Sequence, residues 1–468
     1  MDLGRLGRCR ERLISALGTE AARKATDDFC IAFGSHEGII ERAHAVVELQ
    51  PVPWTLPPFD ETVQRFRESL DLGRAREFVC RAFGDFEEDY LRRGTGASLN
   101  AVDVIRSVYI HVLKEAAMAV ALPIRYELEH NSPSSPPDNG ESTTQICWLN
   151  QTLRTWASLR ALADVAADPA VARIDVPRTL AAEIGRTGVV VGAVQHRAQF
   201  GHTGKGVIVA VIDHEVDHRH SAFQGRVKQT ENFTTEPWGS PSRHGTAVAG
   251  IIAANGKLLG MAPDAEIHNY KVLTKDAPEN GEEFDGVLAL EHALENHARI
   301  ANCSWGTRAV TDGTSREARA VDNAWRCGMT VVKSAGNLGP GKNTLTSPAD
   351  ADGVIVVGAT DREGTGVEDY SSRGTTVNGK NPHMVAPGGT RGVGARGIDS
   401  CRNGTFQDCG WGTSLAAPHV SGVLAVMLEM HPDLTPNEQR ARLLSLCKPL
   451  GTSVEAEGSG LVSIELLT

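Results

Sequence analysis

Three polar residues stand at the ends of apolar runs, and their types together could perform nucleophilic catalysis. Asp213 closes the strand-like run GVIVAVID, His244 opens the helical run in SRHGTAVAGIIAAN, and Ser414 opens another in GWGTSLAAPHVSGVLAVM. A serine hydroxyl is a weak nucleophile until a neighbouring base takes its proton. Imidazole titrates near neutral pH and suits that task, and a carboxylate fixes the imidazole tautomer and supports its charged form. Each residue taken alone is equally a cap or a turn former. The chain order acid, base, nucleophile is one of three in which the same catalytic geometry recurs, and that joint pattern points to chemistry.

Elements of matching kind must hold these residues. From about residue 190 onward, short apolar runs such as GVIVAVID, EIHNYKV, ARIANCSW, MTVVKSAG and GVIVVGA alternate with helix-length segments. This predicts an α/β fold with a mainly parallel sheet covered by helices on both faces. Upstream, residues 99–185 open with a helix, AVDVIRSVYIHVLKEAAMAVALPIRYELEH. The loop NSPSSPPDNGEST, the strand-like QICWLN, a second helix and an extended VARIDV follow, which together read as an α+β unit. Residues 1–98 carry helical periodicity, as in Phe66, Leu70, Phe78 and Val79, broken by PVPWTLPPF, and read as a small α-helical module. The expected domains are therefore 1–98, 99–185 and 186–468.

The segments VAVIDHEVD, HGTAVAG and GTSLAAPHVSG resemble the three active-site motifs of the subtilisin-like serine proteases, the subtilases of peptidase family S8. The resemblance runs over about residues 195–465 through LLGMAPDAEI, SPADADGVIVVGATD, MVAPGG and PDLTPNEQRARLL. It implies a subtilisin-like fold and a serine endopeptidase that acts on protein or peptide substrates through an acyl-enzyme, without a cofactor. It further implies that Asp213, His244 and Ser414 form the triad, and that Asn337 of SAGN and the backbone N–H of Ser414 form the oxyanion hole. Ser304, Trp305 and Gly306 of NCSWG would pair with an extended substrate, while Ser334, Ala335 and Gly336 flank its other side. Thr346 would lie near the floor of the primary pocket, which points to a small or medium side chain there.

Upstream, QICWLNQTLRTWASLRALADVAADPAVARIDV, with the helix from Asp103 to His130, is similar to the family's inhibitory prodomain. This implies a zymogen in which residues 99–185 chaperone the catalytic domain and lay the segment after VARIDV into its cleft as an intramolecular inhibitor. Residues 1–98 carry no motif that names a family and are open to recruiting a protein partner, sensing a signal or extending the prodomain. Two alternatives stand beside hydrolysis. One is a peptide-maturation protease that uses the same acyl-enzyme for transpeptidation. The other is a catalytically silent peptide-binding scaffold, against which the joint presence of Asp213, His244, Ser414 and Asn337 argues.

The sequence departs from the family after the acid, where Thr or Ser and then Gly are usual and His214 and Glu215 stand instead. The segment HEVDHRH gathers His214, Asp217, His218 and His220, residue types that ligate metals. Asp217 and His220 match positions the family keeps in its own turn, so no metal is expected. The stretch between HGTAVAGIIAAN and GKLLGMAP is shorter than in calcium-binding members, which implies that this calcium site is missing. Trp305 replaces a smaller apolar residue, and either packing or a specificity role, including shelter of the acyl-enzyme from water, accounts for it.

Composition narrows the partners. With 47 basic against 58 acidic residues and a net charge of −11, there is no sequence-wide positive field for nucleic-acid phosphates or an anionic membrane surface. At 41% hydrophobic and 22% charged residues, with no apolar run near the ~20 residues a bilayer span needs, a membrane association is not expected. MDLGRLGRCRERLISALG carries charges where an export signal would place its apolar stretch, and a cytoplasmic location is the expectation. The nine cysteines include no CxxC pair and read as reduced; Cys401 and Cys409 flank a hairpin-like RNGTFQD and either pair or stay free.

Overall fold

The computed structural model describes residues 19–27, 29–30, 42–69, 101–130, 144–175, 179–182, 190–275, 281–307, 311–374, 379–392, 396–402 and 404–467. They fall into two compact units, Met1–Thr55 with His111–Arg178, and Leu56–Ile110 with Thr179–Thr468. From the N-terminus come α1 (Thr19–Lys24), β1 (Arg42–Leu49), α2 (Phe59–Ser69), α3 (Ala101–His130), β2 (Thr144–Cys147), β3 (Thr152–Ser158), α4 (Leu159–Ala166), β4 (Val171–Asp175) and β5 (Thr179–Ala182).

The first unit is built on an antiparallel sheet of order β2-β3-β1-β4. Ala45, Val47 and Leu49 alternate along β1 and share one core with Leu153, Leu162, Val165, Ile174 and, from α3, Ile124 and Leu128. Ser158 ends β3 and caps α4, its side chain accepting from the Ala161 N–H. This sheet corrects the expectation of a helical module over 1–98 that is separate from 99–185. The stretch RAHAVVEL has the two-residue period of a strand, and it is paired on both sides, Val47 opposite Leu153 of β3 and Ile174 of β4. Of the residues that carried the helical reading, Leu70, Phe78 and Val79 and the side chain of Phe66 lie outside the described residues, as does the loop NSPSSPPDNGEST.

In the second unit follow α5 (Ala193–Phe200), β6 (Ile208–His214), β7 (Val227–Asn232), α6 (Arg243–Ala253), β8 (Glu266–Leu273), β9 (Gly281–Glu282), α7 (Glu283–Glu295), β10 (Ile300–Cys303), β11 (Trp305–Gly306) and α8 (Arg316–Arg326). The chain continues with β12 (Thr330–Ser334), β13 (Ile355–Thr360), β14 (Met384–Pro387), β15 (Asp399–Arg402), β16 (Thr405–Asp408), α9 (Thr413–Met430), α10 (Pro436–Ser445), β17 (Cys447–Lys448), α11 (Val454–Glu457) and β18 (Leu461–Val462). The nine-stranded sheet runs β17-β18-β14-β13-β12-β10-β6-β8-β7, with every pairing parallel except β17 with β18.

The sheet has the α/β architecture expected from the alternating runs. Val209, Val211, Val332, Ile355 and Val357 point to the core that contains α6 and α9. Their strand neighbours Ala210, Ile212, Val331 and Val356 are equally buried on the other face, where α7 and α8 pack. Burial on all sides explains why α9 is apolar throughout, and it qualifies the expectation that no run approaches span length. Two described helices, Ile105–His130 and Thr413–Met430, are long and apolar enough to cross a membrane by length and composition, and 89% of the window in the second is buried in the fold.

Residues 56–110, read as part of the first two domains, instead belong to the second unit. The ring of Phe59 fills the place where Gly328 has no side chain, a Cβ there falling 2.6 Å from Phe59 Cζ. Tyr109 meets Phe59 edge-on at 5.3 Å and donates to the Pro57 carbonyl at 2.7 Å. Arg106 Nη2 donates to the Ala298 carbonyl beyond α7 at 2.5 Å, and Arg67 pairs with Glu438 of α10 at 2.9 Å. The hairpin at RNGTFQD forms as β15 and β16, yet Cys401 lies opposite Phe406 while Cys409 bonds to Ile398. The Cys409 thiol reaches the Cys401 carbonyl at 3.9 Å, and no disulfide joins the two cysteines among the described residues.

Candidate active site

Asp213, His244, Ser414 and Asn337 all sit near the C-terminal ends of the parallel strands, the end at which open α/β sheets place their sites. Asp213 is the penultimate residue of β6, and Asn269 of β8 fixes the turn behind it. Asn269 Nδ2 donates to the His214 carbonyl at 3.0 Å, and its Oδ1 accepts from the Val216 N–H at 2.9 Å. His244 is the second residue of α6, whose cap Ser242 accepts from the His244 N–H at 3.1 Å. Gly245 lets this helix approach the end of β6, because a Cβ there would stand 2.7 Å from the His214 carbonyl oxygen. Thr246 joins the two elements, its Oγ1 accepting from the Asp217 N–H at 2.9 Å and donating to the Ser242 carbonyl at 2.7 Å.

The wholly buried carboxylate of Asp213 receives three hydrogen bonds on Oδ1: from His244 Nδ1 at 2.8 Å, from His214 Nδ1 at 2.8 Å and from the His214 N–H at 2.7 Å. Burial by itself would raise its pKa. The charge of His244 and the hydrogen bonds from His214 and His244 overcome that and hold the carboxyl well below the usual range. An ionised carboxylate can only accept, so both imidazoles carry their proton on Nδ1, which leaves Nε2 of His244 as the basic nitrogen. Sequence reasoning marked His214 as a departure but not as a partner of Asp213. Among the described residues Asp213, His214 and His244 also form a grouping of metal-ligand type, within 4.8 Å of one another, with both Nδ1 atoms engaged on the carboxylate. The other residues of HEVDHRH disperse: His220 Nε2 bonds to the Thr405 carbonyl at 2.9 Å, and Asp217 joins Thr246 through its backbone.

Ser414 is the second residue of α9, after Gly412 at φ 146°. Its Oγ is buried and makes no hydrogen bond among the described residues. Four residues on, Pro418 lacks the N–H that would bond to the Ser414 carbonyl. Ser304 Oγ supplies that bond at 2.8 Å and is itself held by Asn302 Nδ2 at 2.9 Å. Asn337 Oδ1 accepts from the Thr413 N–H at 2.9 Å and the Thr413 hydroxyl at 3.1 Å. With its oxygen so occupied, the amide keeps its Nδ2 donors for another acceptor.

The cleft residues divide. Trp305 and Gly306 form β11, and β5 lies antiparallel on it, Ala182 opposite Trp305 and Ala181 opposite Gly306. The other side of β5 pairs with β9, Thr179 opposite Glu282 and Leu180 opposite Gly281. The expectation that Ser334, Ala335 and Gly336 take that second side is thereby corrected. Their backbone is already used: the Ala335 N–H bonds to the Val357 carbonyl at 2.9 Å, and Gly336, at φ 108°, bonds to Thr413 Oγ1 and the Ser372 N–H. Sequence gave no hint of β9, whose two residues sit in the polar stretch APENGEEF. Trp305 is wholly buried, its ring lying where a Cβ on Gly286 of α7 would fall, so packing accounts for the indole, while its backbone pairs with Ala182 of β5. Thr346 is buried beside Gly336, with Oγ1 3.5 Å from where a Cβ would be.

The sequence profile of the Subtilase family matches residues 204–460, and the chain belongs to that family. It is similar to Serine protease AprX of Bacillus subtilis (strain 168), 35% identical over 274 residues, which is 52% of this chain and 61% of AprX, so the match spans under two thirds of that relative. Subtilisin E of the same organism is 32% identical over 338 residues, 70% of this chain and 82% of that one. Among solved structures, a cold adapted subtilisin-like serine proteinase aligns with a TM-score of 0.48 at 26% identity, covering 56% of this chain and 90% of that one.

Proposed function

We propose that the protein is a serine endopeptidase that hydrolyses peptide bonds through an acyl-enzyme on Ser414. The observation that carries the reading is the buried Asp213 carboxylate that orients His244 at 2.8 Å, on strand ends shared with Ser414. As Ser414 Oγ adds to the scissile carbonyl carbon, its proton passes to His244 Nε2, and Asp213 supports the imidazolium. The carbonyl oxygen takes the negative charge, and Asn337 Nδ2–H and the Ser414 N–H donate to it. Collapse breaks the C–N bond and the leaving amine takes the proton from His244. Water then adds with its proton going to His244, and the ester breaks to give a carboxylic acid and free Ser414.

The reading includes self-restraint: β5 acts as a product-like strand in the cleft, delivered by the prodomain-like unit that precedes it in the chain. Its support is the pairing of β5 with β11 on one side and β9 on the other, three residues after β4 ends. Labelling with a serine-directed fluorophosphonate and sequencing of new N-termini test both parts. Label on the wild type and none on Ser414→Ala is expected, with cleavage between about residues 178 and 200 in the wild type alone. Absent label on the wild type after processing overturns the hydrolase, and cleavage in both proteins overturns self-processing.

A further inference from the structure

Lys333 interrupts the apolar run MTVVKSAG, and the proposed reaction gives it no task. It lies on β12 opposite Cys303 of β10 and is wholly buried. Its Nζ donates to the carbonyl of Ser334 and, at 2.9 Å, to the hydroxyl of the same residue. A Cβ built on Gly306 would lie 3.2 Å from both Cε and Nζ of Lys333 and 3.0 Å from the Ser347 carbonyl oxygen. The ammonium is therefore packed against the bare backbone of β11, the strand on which Ala181 and Ala182 of β5 are laid. Two threonines flank these groups in the chain, Thr307 directly after Gly306 and Thr346 directly before Ser347. Thr307 follows Gly306 and bonds through its N–H to the Ser347 carbonyl at 3.1 Å, and Thr346 stands beside Gly336. They are 4% and 2% exposed, and Oγ1 of each is buried without a hydrogen bond among the described residues.

A pocket wall made of these groups would be cationic and donor-rich. A buried ammonium favours an arriving anion and opposes a second cation, because little water is present to screen either. Hydroxyl donors complete the coordination of a carboxylate that has left water behind. Burial pushes the Cys303 thiol up to about 12 against the pull of Lys333, so the thiol remains neutral and adds no negative charge to this wall.

Resting on the endopeptidase reading, we propose that Lys333, with Thr307 and Thr346, makes the primary pocket select acidic side chains, so that cleavage falls on the carboxyl side of glutamate or aspartate. This adds a charge preference to the small or medium side chain expected from Thr346 alone. The chain carries a substrate of this kind in its own sequence. Glu183, which follows Ala182 and lies outside the described residues, makes Glu183–Ile184 the self-cleavage bond expected from the sequence.

The test uses the full chain and peptides identical except for Glu, Gln, Leu or Lys before the scissile bond, with kcat/KM as the readout and fluorophosphonate labelling of Ser414 in parallel. Glu is expected to exceed Gln by about tenfold or more, the margin of a charge-assisted over a neutral hydrogen bond, and Lys to be cleaved least. In Lys333→Met the Glu-to-Leu ratio falls by at least about tenfold. The wild-type series stands by itself if that variant does not fold. Labelling with Leu preferred over Glu in the wild type overturns the acidic pocket and leaves the hydrolase intact, whereas absent labelling overturns both.

Discussion

At the scale of single residues, the site concentrates its polar groups on one carboxylate oxygen. His214 takes the place after the acid where the family usually has a small hydroxyl residue, and it still donates to Asp213, at 2.8 Å. His214→Phe removes one of three donors to a wholly buried charge, and a hydrogen bond to a charged group contributes ~1.5–3 kcal/mol. Chemical denaturation is expected to report a loss of that order, and His214→Asn, which keeps a donor, to recover part of it. In the proposed reaction Asn337 acts later, because its amide would meet charge that exists only once Ser414 has attacked. Asn337→Leu is expected to lower kcat by ~10²–10³, the loss when one oxyanion-hole donor is removed from a subtilisin, with KM almost unchanged. Equal losses in kcat and a large rise in KM would assign Asn337 to substrate binding instead.

At the scale of elements, the catalytic helix begins with a defect that a neighbouring strand end repairs. Pro418 leaves the Ser414 carbonyl without its helical donor, and Ser304 Oγ supplies one at 2.8 Å. Ser304→Ala should therefore cost ~1–3 kcal/mol for the buried acceptor it orphans, and should lower kcat as well, since the same bond sets the height of Ser414 above the cleft. Urea unfolding and steady-state kinetics on one preparation check both. A second element-level prediction concerns pH. His383 Nδ1 accepts from the Val356 N–H at 3.1 Å at the entry to β13, a role open to the neutral ring alone. Burial, with Arg440 and Lys380 nearby, pulls its pKa from 6.5 to about 4. Between these values the unfolded chain binds a proton that the folded one refuses, so stability is full above 6.5 and declines as pH falls toward 4. Thermal melts should show a shallower decline over that window in His383→Asn, which keeps an acceptor and cannot titrate.

At the scale of the whole molecule, the two units share the chain in an interleaved order, and this decides which truncations are tolerable. A chain that begins at residue 99 lacks β1, so β3 and β4 lose the strand paired between them. It also loses α2, with Phe59 against Gly328 and Arg67 against Glu438. A chain that begins at residue 42 keeps all of these. Refolding yield and limited proteolysis should separate the two, the shorter chain aggregating or being digested through both units. Equal behaviour would show that β1 and α2 contribute little to either unit.

The placement of Asp213, His244, Ser414 and Asn337 at element ends was legible in the sequence because each lies in a short segment whose own turn or helix start positions it: a strand end, a capped helix, a Gly-Thr pair before a second helix. The α/β class was legible for a related reason, since alternating strand and helix periods are local patterns. Pairing across long distances was not. RAHAVVEL has a two-residue period, yet only the presence of β3 and β4 on its two sides makes it a central strand. Nothing in APENGEEF marks Gly281 and Glu282 as the second flank of β5. A lysine inside MTVVKSAG was a signal available in the sequence, because ammonium groups are rarely buried in strands without a purpose. Only the tertiary structure showed where it leads, since the register of β12 with β10 and the missing side chain of Gly306 decide where Nζ ends up. Sequence by itself determined the chemistry this protein carries, because residue type and local conformation are written in adjacent positions. What surrounds that chemistry was decided by segments far apart in the chain meeting in one sheet, which no local pattern records.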